Sequence, residues 1–142
     1  MEEAIVRVEH LSHRYSVDWA IRDINLEVKS KGVFGLLGSN GAGKSTTMNI
    51  ICGVLNKTEG NVWINNINLR ENPVEAKKFI GFLPQRPPLY PDMTVEEYLT
   101  YCANLRLMEP MEIGKAVERA MARCGVTHFR SRLLRNLSGG YQ

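Results

Sequence analysis

An α/β fold organised around a phosphate-binding loop is what this sequence predicts, and three observations predict it. Short apolar runs of strand character fill the first half. A glycine-rich segment from Gly38 to Ser45 joins one of those runs to a helical pattern. Beyond a proline-rich stretch, 84–93, the chain reads as helices.

The elements follow in order. Ile5 to Val8 predicts a first strand. Ile21 to Val28 alternates imperfectly and predicts a second, half-exposed one. Lys31-Gly32 predicts a turn, and Val33 to Leu37, apolar and bounded by turn signals, predicts a buried strand. Ser45 to Cys52 predicts a helix with Met48, Ile51 and Cys52 inward and Gly53 near its end. Asn61 to Ile64 predicts a strand closed by the turn Asn65-Asn66. A helix over Val74 to Lys78 and a strand over Ile80 to Leu83 come next.

The segment 84–93 carries four prolines, which excludes helix or central strand there. Thr94 followed by Glu97 is a capping-box pattern. The helix it opens places Val95, Tyr98, Leu99, Cys102 and Leu105 on one face. A further helix does the same with Ile113, Val117, Ala120, Met121 and Cys124, and Gly125 fits its C-cap.

Bulk properties exclude several classes. A chain of 142 residues suits one domain. A net charge of +3 is too small to argue for nucleic acid. The three cysteines lie far apart without metal or redox spacing, so reduced, buried thiols are expected. The acidic start shows no signal peptide, and no run reaches the roughly 18 apolar residues of a membrane helix. A soluble chain is the expectation, with any membrane role resting on a partner.

The chemistry sits in Gly38, Ser39, Asn40, Gly41, Ala42, Gly43, Lys44 and Ser45, which match the P-loop pattern G-x-x-x-x-G-K-[ST]. Glycines let backbone N–H groups converge on a polyphosphate without a Cβ in the way. The helix that follows adds its positive N-terminal end. Lys44 supplies a point charge, and the Ser45 hydroxyl suits Mg²⁺. A strand before the loop and a helix after it are the context the motif requires. The reading is therefore a P-loop NTPase, and the absence of Asn-Lys-x-Asp disfavours a GTPase.

The chain ends in Leu137-Ser138-Gly139-Gly140-Tyr141-Gln142, which resembles the signature motif of ATP-binding cassette (ABC) ATPases. Tyr15 lies where that family carries an aromatic residue, and Gln85 resembles its Q-loop glutamine. The segment from Leu83 to Glu96 is similar to the exporter-type branch. Tyr141 departs from the pattern, since many members have glutamine there.

The resemblance covers the whole chain and implies a RecA-like core, N-terminal antiparallel strands and an α-helical subdomain. It divides the chain into a core part, 1–90, and a helical part, 91–142. It implies roles as well. Tyr15 would stack on adenine. Backbone amides from Gly41 to Thr46 would hold the phosphates of ATP, with Lys44 bridging them. Ser45 would bind Mg²⁺, and Gln85 would contact Mg²⁺ or the attacking water, which makes Lys44 and Gln85 the catalytic candidates. Ser138 and Gly140 would touch the γ-phosphate bound to a second ABC domain, in a head-to-tail dimer. A membrane-spanning permease would dock on the chain, placing it at the inner face of the cell membrane.

In the family the Walker B strand and the switch histidine follow the signature. His10, His13 and His128 all precede it and read as ordinary surface or strand residues. Residues 1–142 alone are accordingly expected to turn over ATP very weakly or not at all, and a turnover abolished by Lys44→Ala would contradict this. Without a Walker B neighbour, Val33 to Leu37 is expected to leave an open apolar edge and a marginal fold.

Two other functions fit less well. A soluble ABC ATPase of translation or DNA repair would use the basic run Arg119, Arg123, Arg130, Arg132 and Arg135, which lacks interleaved aromatics. A non-catalytic remnant would only bind nucleotide.

Overall fold

The computed structural model describes residues 4–29 and 31–141. They divide into two units, Met1–Phe82 and Leu83–Gln142.

The first unit holds a four-stranded antiparallel sheet in the order β2-β1-β3-β4. Strand β1 is Val6–Arg14, β2 is Trp19–Val28, β3 is Glu59–Ile64 and β4 is Ile67–Asn68. β1 extends past the predicted strand because β2 and β3 flank it on both sides. Val6 lies opposite both Val28 and Ile64, and Val8 opposite both Leu26 and Val62. Asn65 and Asn66 have φ of 46° and 62°, so a two-residue turn with positive φ at both positions joins Ile64 to its partner Ile67.

The β1–β2 ladder is irregular between Val8 and Arg14. His10 and Asp23 take φ of 50° and 51° there. Side chains replace the lost rungs. The Asn25 carbonyl accepts from the His10 amide at 2.8 Å, and the Ser12 hydroxyl accepts from the Asp23 amide at 2.9 Å. The His10 ring contacts the Asp23 carboxylate at 2.7 Å. That contact is the main cause holding the Asp23 pKa below the ordinary range, with the Asn25 amide second.

Helix α1, Lys44–Ile51, and helix α2, Pro73–Lys77, complete the unit. Its core is Val8, Leu11, Ile21, Ile50, Val62, Ile64 and Ala76. Of the expected inward face of α1, Ile51 packs against this core but Met48 does not. Thr46, Thr47 and Ile50 are buried, whereas Met48 is exposed. Cys52 is half-buried, and burial raises its pKa.

Two expected strands do not form. Val33 to Leu37 is irregular and exposed, with Val33 and Leu37 at 103% and 92%. Ile80 to Leu83 is likewise irregular. No strand of the described sheet runs beside either segment.

In the second unit, helix α3 is Val95–Leu105 and helix α4 is Pro110–Arg123. Val95, Val117, Met121, Val126, Leu134 and Leu137 form its core. Leu105 and Cys124, expected inward, are exposed; each lies at its helix's C-terminal end. Cys102 is half-buried, so the cysteines are not uniformly buried thiols. Gly125, at φ 67°, ends α4 as expected. Part of the basic run is engaged within the unit. Arg130 pairs with Glu118 and Glu96, Arg135 pairs with Asp92 at 2.7 Å, and Arg132 lies over the Phe129 ring.

The capping box at α3 forms in both directions. The Thr94 amide donates to Glu97 Oε2 at 2.7 Å, and the Glu97 amide donates to Thr94 Oγ1 at 3.3 Å. Thr94→Ala removes one arm and is expected to cost about 1 kcal/mol. The bond from the Thr94 amide, then that from its hydroxyl, lowers the Glu97 pKa. A depressed carboxyl contributes stability above its unfolded pKa and loses it as pH falls through the folded value. Urea midpoints of the parent should therefore fall with acidification below about pH 4.3, the ordinary glutamate value, and Glu97→Gln should flatten that fall. An equal slope in both proteins would contradict the assignment.

Candidate functional site

The glycine-rich loop lies between the irregular segment 33–37 and α1. Gly43 forms the N-cap of α1 in a left-handed conformation, φ 80°. A Cβ there would lie 2.2 Å from Ile21 Cγ2 and 2.7 Å from the Ala20 carbonyl oxygen. Close approach to β2 thus demands glycine, a requirement separate from phosphate access.

The first turn of α1 has no side-chain cap and no acidic residue. The leading amides of a helix have no intrahelical partner. With no local carboxylate competing for them, these N–H groups and the positive helix end suit an anion. The Lys44 ammonium donates to the Gly38 carbonyl at 2.8 Å and the Ser39 carbonyl at 2.6 Å. Ala42 donates its amide to the Ser39 carbonyl at 3.2 Å. An ammonium has three donors, so one proton of Lys44 remains beyond these two bonds.

Thr46 and Thr47 anchor the turn from below. Thr47 Oγ1 donates to the Gly43 carbonyl at 3.0 Å. Thr46 Oγ1 lies 3.3 Å from the Tyr15 hydroxyl. Tyr15 follows the last residue of β1 and is 67% exposed. Its ring meets the His13 ring edge-on, centroids 4.8 Å apart. The structure thus brings Tyr15 to Thr46, which directly follows the loop residues Gly38, Ser39, Asn40, Gly41, Ala42, Gly43, Lys44 and Ser45 in the chain.

His13 is a strand residue, as expected, and it also supports the site. It is buried, its Nδ1 lies 3.4 Å from Thr58 Oγ1, and it braces Tyr15. Its place in β1, two residues from Tyr15 and thus on the same face, was the available signal.

Ser45 is exposed beside Lys44. Among the described residues no group of three or more His, Cys, Asp or Glu could hold a metal. The donor set offers one hydroxyl oxygen, which fits Mg²⁺ bound mainly through phosphate oxygens and water.

The other candidates belong to the second unit. Gln85 lies exposed in a bend of the proline-rich segment. Ser138, Gly139 and Gly140 are exposed, and the Tyr141 amide closes a turn onto the Ser138 carbonyl at 2.8 Å. The signature-like Gln142 lies outside the described residues.

Comparison with known proteins shows the family and the fold. The family model described as ABC transporter matches residues 21–142. The chain is 34% identical over 136 residues to the molybdate/tungstate import ATP-binding protein WtpC of Pyrococcus abyssi, covering 96% of this chain and 39% of that protein. It is 34% identical over 140 residues to the uncharacterized ABC transporter ATP-binding protein YhaQ of Bacillus subtilis, covering 97% of this chain and 45% of the relative. The chain therefore spans less than half the length of these two relatives. Among solved structures, an ATP-binding subunit of an ABC transporter superposes with a TM-score of 0.81 at 26% identity, covering 94% of this chain and 56% of that one. The cbiO1 protein of Clostridium perfringens, part of the ABC transporter complex cbiONQ, gives 0.79 at 29% identity, covering 96% and 57%. The α/β P-loop architecture with antiparallel N-terminal strands is the one these structures share.

Proposed function

Because the chain belongs to the ABC transporter family of ATP-binding domains, we propose that it forms part of a subunit that binds and hydrolyses Mg²⁺–ATP to drive transport across a membrane. The observation that carries this reading is the closed loop at α1, with the Tyr15 hydroxyl 3.3 Å from Thr46. One contact ties an exposed aromatic ring to the turn that would hold phosphates.

In this reading Tyr15 stacks on the adenine. The amides of Gly41 to Thr46 and the third proton of Lys44 hold the phosphate oxygens. Ser45 ligates Mg²⁺, which when bound neutralises charge on the phosphates. Gln85 contacts Mg²⁺ or the attacking water. Ser138 and Gly140 face the γ-phosphate of ATP on a second ABC domain, and ATP joins the two head to tail.

No helix among the described residues is long and apolar enough to cross a membrane. A membrane-spanning permease is the proposed partner, reached from the cytoplasmic side through the proline-stiffened segment 84–93. The family resemblance of that segment supports an exporter-type system.

Tyr15→Ala tests the base contact. Aromatic–base stacking is worth about 1–3 kcal/mol per base. The variant's ATP affinity, measured by fluorescent nucleotide displacement, should fall about tenfold, while Tyr15→Phe, which keeps the ring, should stay near the parent. Equal affinity in Tyr15→Ala and parent would remove Tyr15 from the site.

A further inference from the structure

At the end of α1 opposite the phosphate loop lies a cavity of about 430 Å³. Ile50, Leu55 and Val62 supply apolar lining, and Lys57, Arg70 and Lys77 supply three cationic side chains. The volume falls within the range of small-molecule sites.

Among the described residues the cations have no carboxylate partner. Burial lowers the Lys57 pKa, and the charge of Arg70 lowers it further. Lys57 donates to the Gly60 carbonyl, which leaves donors on its ammonium for another acceptor. Lys77 runs across Gly53, φ 68°, with its Cε 2.6 Å from where a Cβ would stand, so glycine there leaves the space that Lys77 occupies.

The plain alternative is that these cations answer the negative end of α1. A helix C-terminus carries roughly half a negative charge. Three cations against half a charge leave an excess of roughly +2.5. Like charges gathered against an apolar lining are unfavourable unless an anion joins them.

We propose that this cavity is a second anion site, taking a ligand with a phosphate monoester on a small organic group, separate from the phosphate loop. The three cations take the phosphate, and Ile50, Leu55 and Val62 take the organic part. A free metabolite and a lipid headgroup share this chemistry.

The test uses the full chain carrying Lys44→Ala, which weakens the loop as a competing phosphate site. Inorganic phosphate and glycerol 3-phosphate are titrated while the backbone amide signals of Lys57, Arg70 and Lys77 are followed by NMR. In parallel, the protein is sedimented with phosphatidylcholine vesicles with and without phosphatidic acid. Saturable shifts with glycerol 3-phosphate, weakened about tenfold by adding Lys57→Ala and Lys77→Ala, support the site with a soluble ligand. Sedimentation only with phosphatidic acid, lost in the same variant, supports it with a lipid source. Should Lys57→Ala disturb folding, Arg70→Glu at the exposed rim gives the same reading. No response to any probe, or a response that the variants leave unchanged, overturns the proposal. The ATP affinity of Lys57→Ala/Lys77→Ala in the Lys44 parent is measured separately, so failure here leaves the phosphate-loop reading intact.

Discussion

Gly43→Ala is expected to destabilise the first unit by about 3 kcal/mol or more. Two costs combine. A left-handed φ is unfavourable for alanine, and the new methyl would meet both the Ile21 side chain and the Ala20 carbonyl of β2. The carbonyl is backbone in a paired strand and cannot step aside cheaply. Gly41 provides the control. Its φ is 86°, yet nothing lies within 4 Å of its would-be Cβ. Gly41→Ala should therefore show the conformational cost alone, about 1 kcal/mol. Urea denaturation of both variants separates the terms, and similar midpoints would show that the seam with β2 yields to the methyl.

Lys44→Ala should have the opposite signature, a large functional loss with little structural one. Among the described residues its ammonium bonds only the carbonyls of Gly38 and Ser39, both exposed residues that water can satisfy. Stability should change by less than about 1 kcal/mol. A charge-assisted bond to phosphate is worth about 1.5–3 kcal/mol, so ATP affinity should fall by roughly 10- to 100-fold. Under the proposed function, turnover should fall further, because Lys44 would also stabilise the charge that develops as phosphate leaves. An ATP affinity unchanged within twofold would remove Lys44 from the phosphate site. A loss of stability matching the loss of binding would recast it as a structural strut.

Local features of the fold and of the candidate loop were legible in the sequence because their constraints are local. The glycine pattern of the loop, the pair Thr94 and Glu97, the Asn65-Asn66 turn and Gly125 each require particular residue types at fixed short spacing, and each forms as expected. What was not legible depends on partners distant in sequence. Val33 to Leu37 has the composition of a buried strand, but a strand exists only beside another. Met48 and Leu105 sit at helical spacing with core residues yet face outward, because periodicity gives a stripe and not the edge of what covers it. The irregular rungs around His10 and Asp23 broke the alternation by which β1 could be traced to Arg14. The brace of His13 on Tyr15 and the reach of Tyr15 to Thr46 join segments that no short pattern links.

The segment before Ser138 has one more consequence, and it is mechanical. Val95 and Glu96 donate their amides to the carbonyls of Arg132 and Arg130, while Leu134 and Arg135 donate theirs to Met93 and Pro91. These four bonds clasp the end of the proline-rich segment to the chain leading into Ser138. Prolines stiffen one jaw, and the capping box of α3 stiffens the hinge. A pull applied to residues 84–93 would therefore reach the segment 130–135, which leads into the Ser138 turn, through these four bonds. The four amides should exchange with solvent as one unit, since opening any of them means releasing the whole clasp.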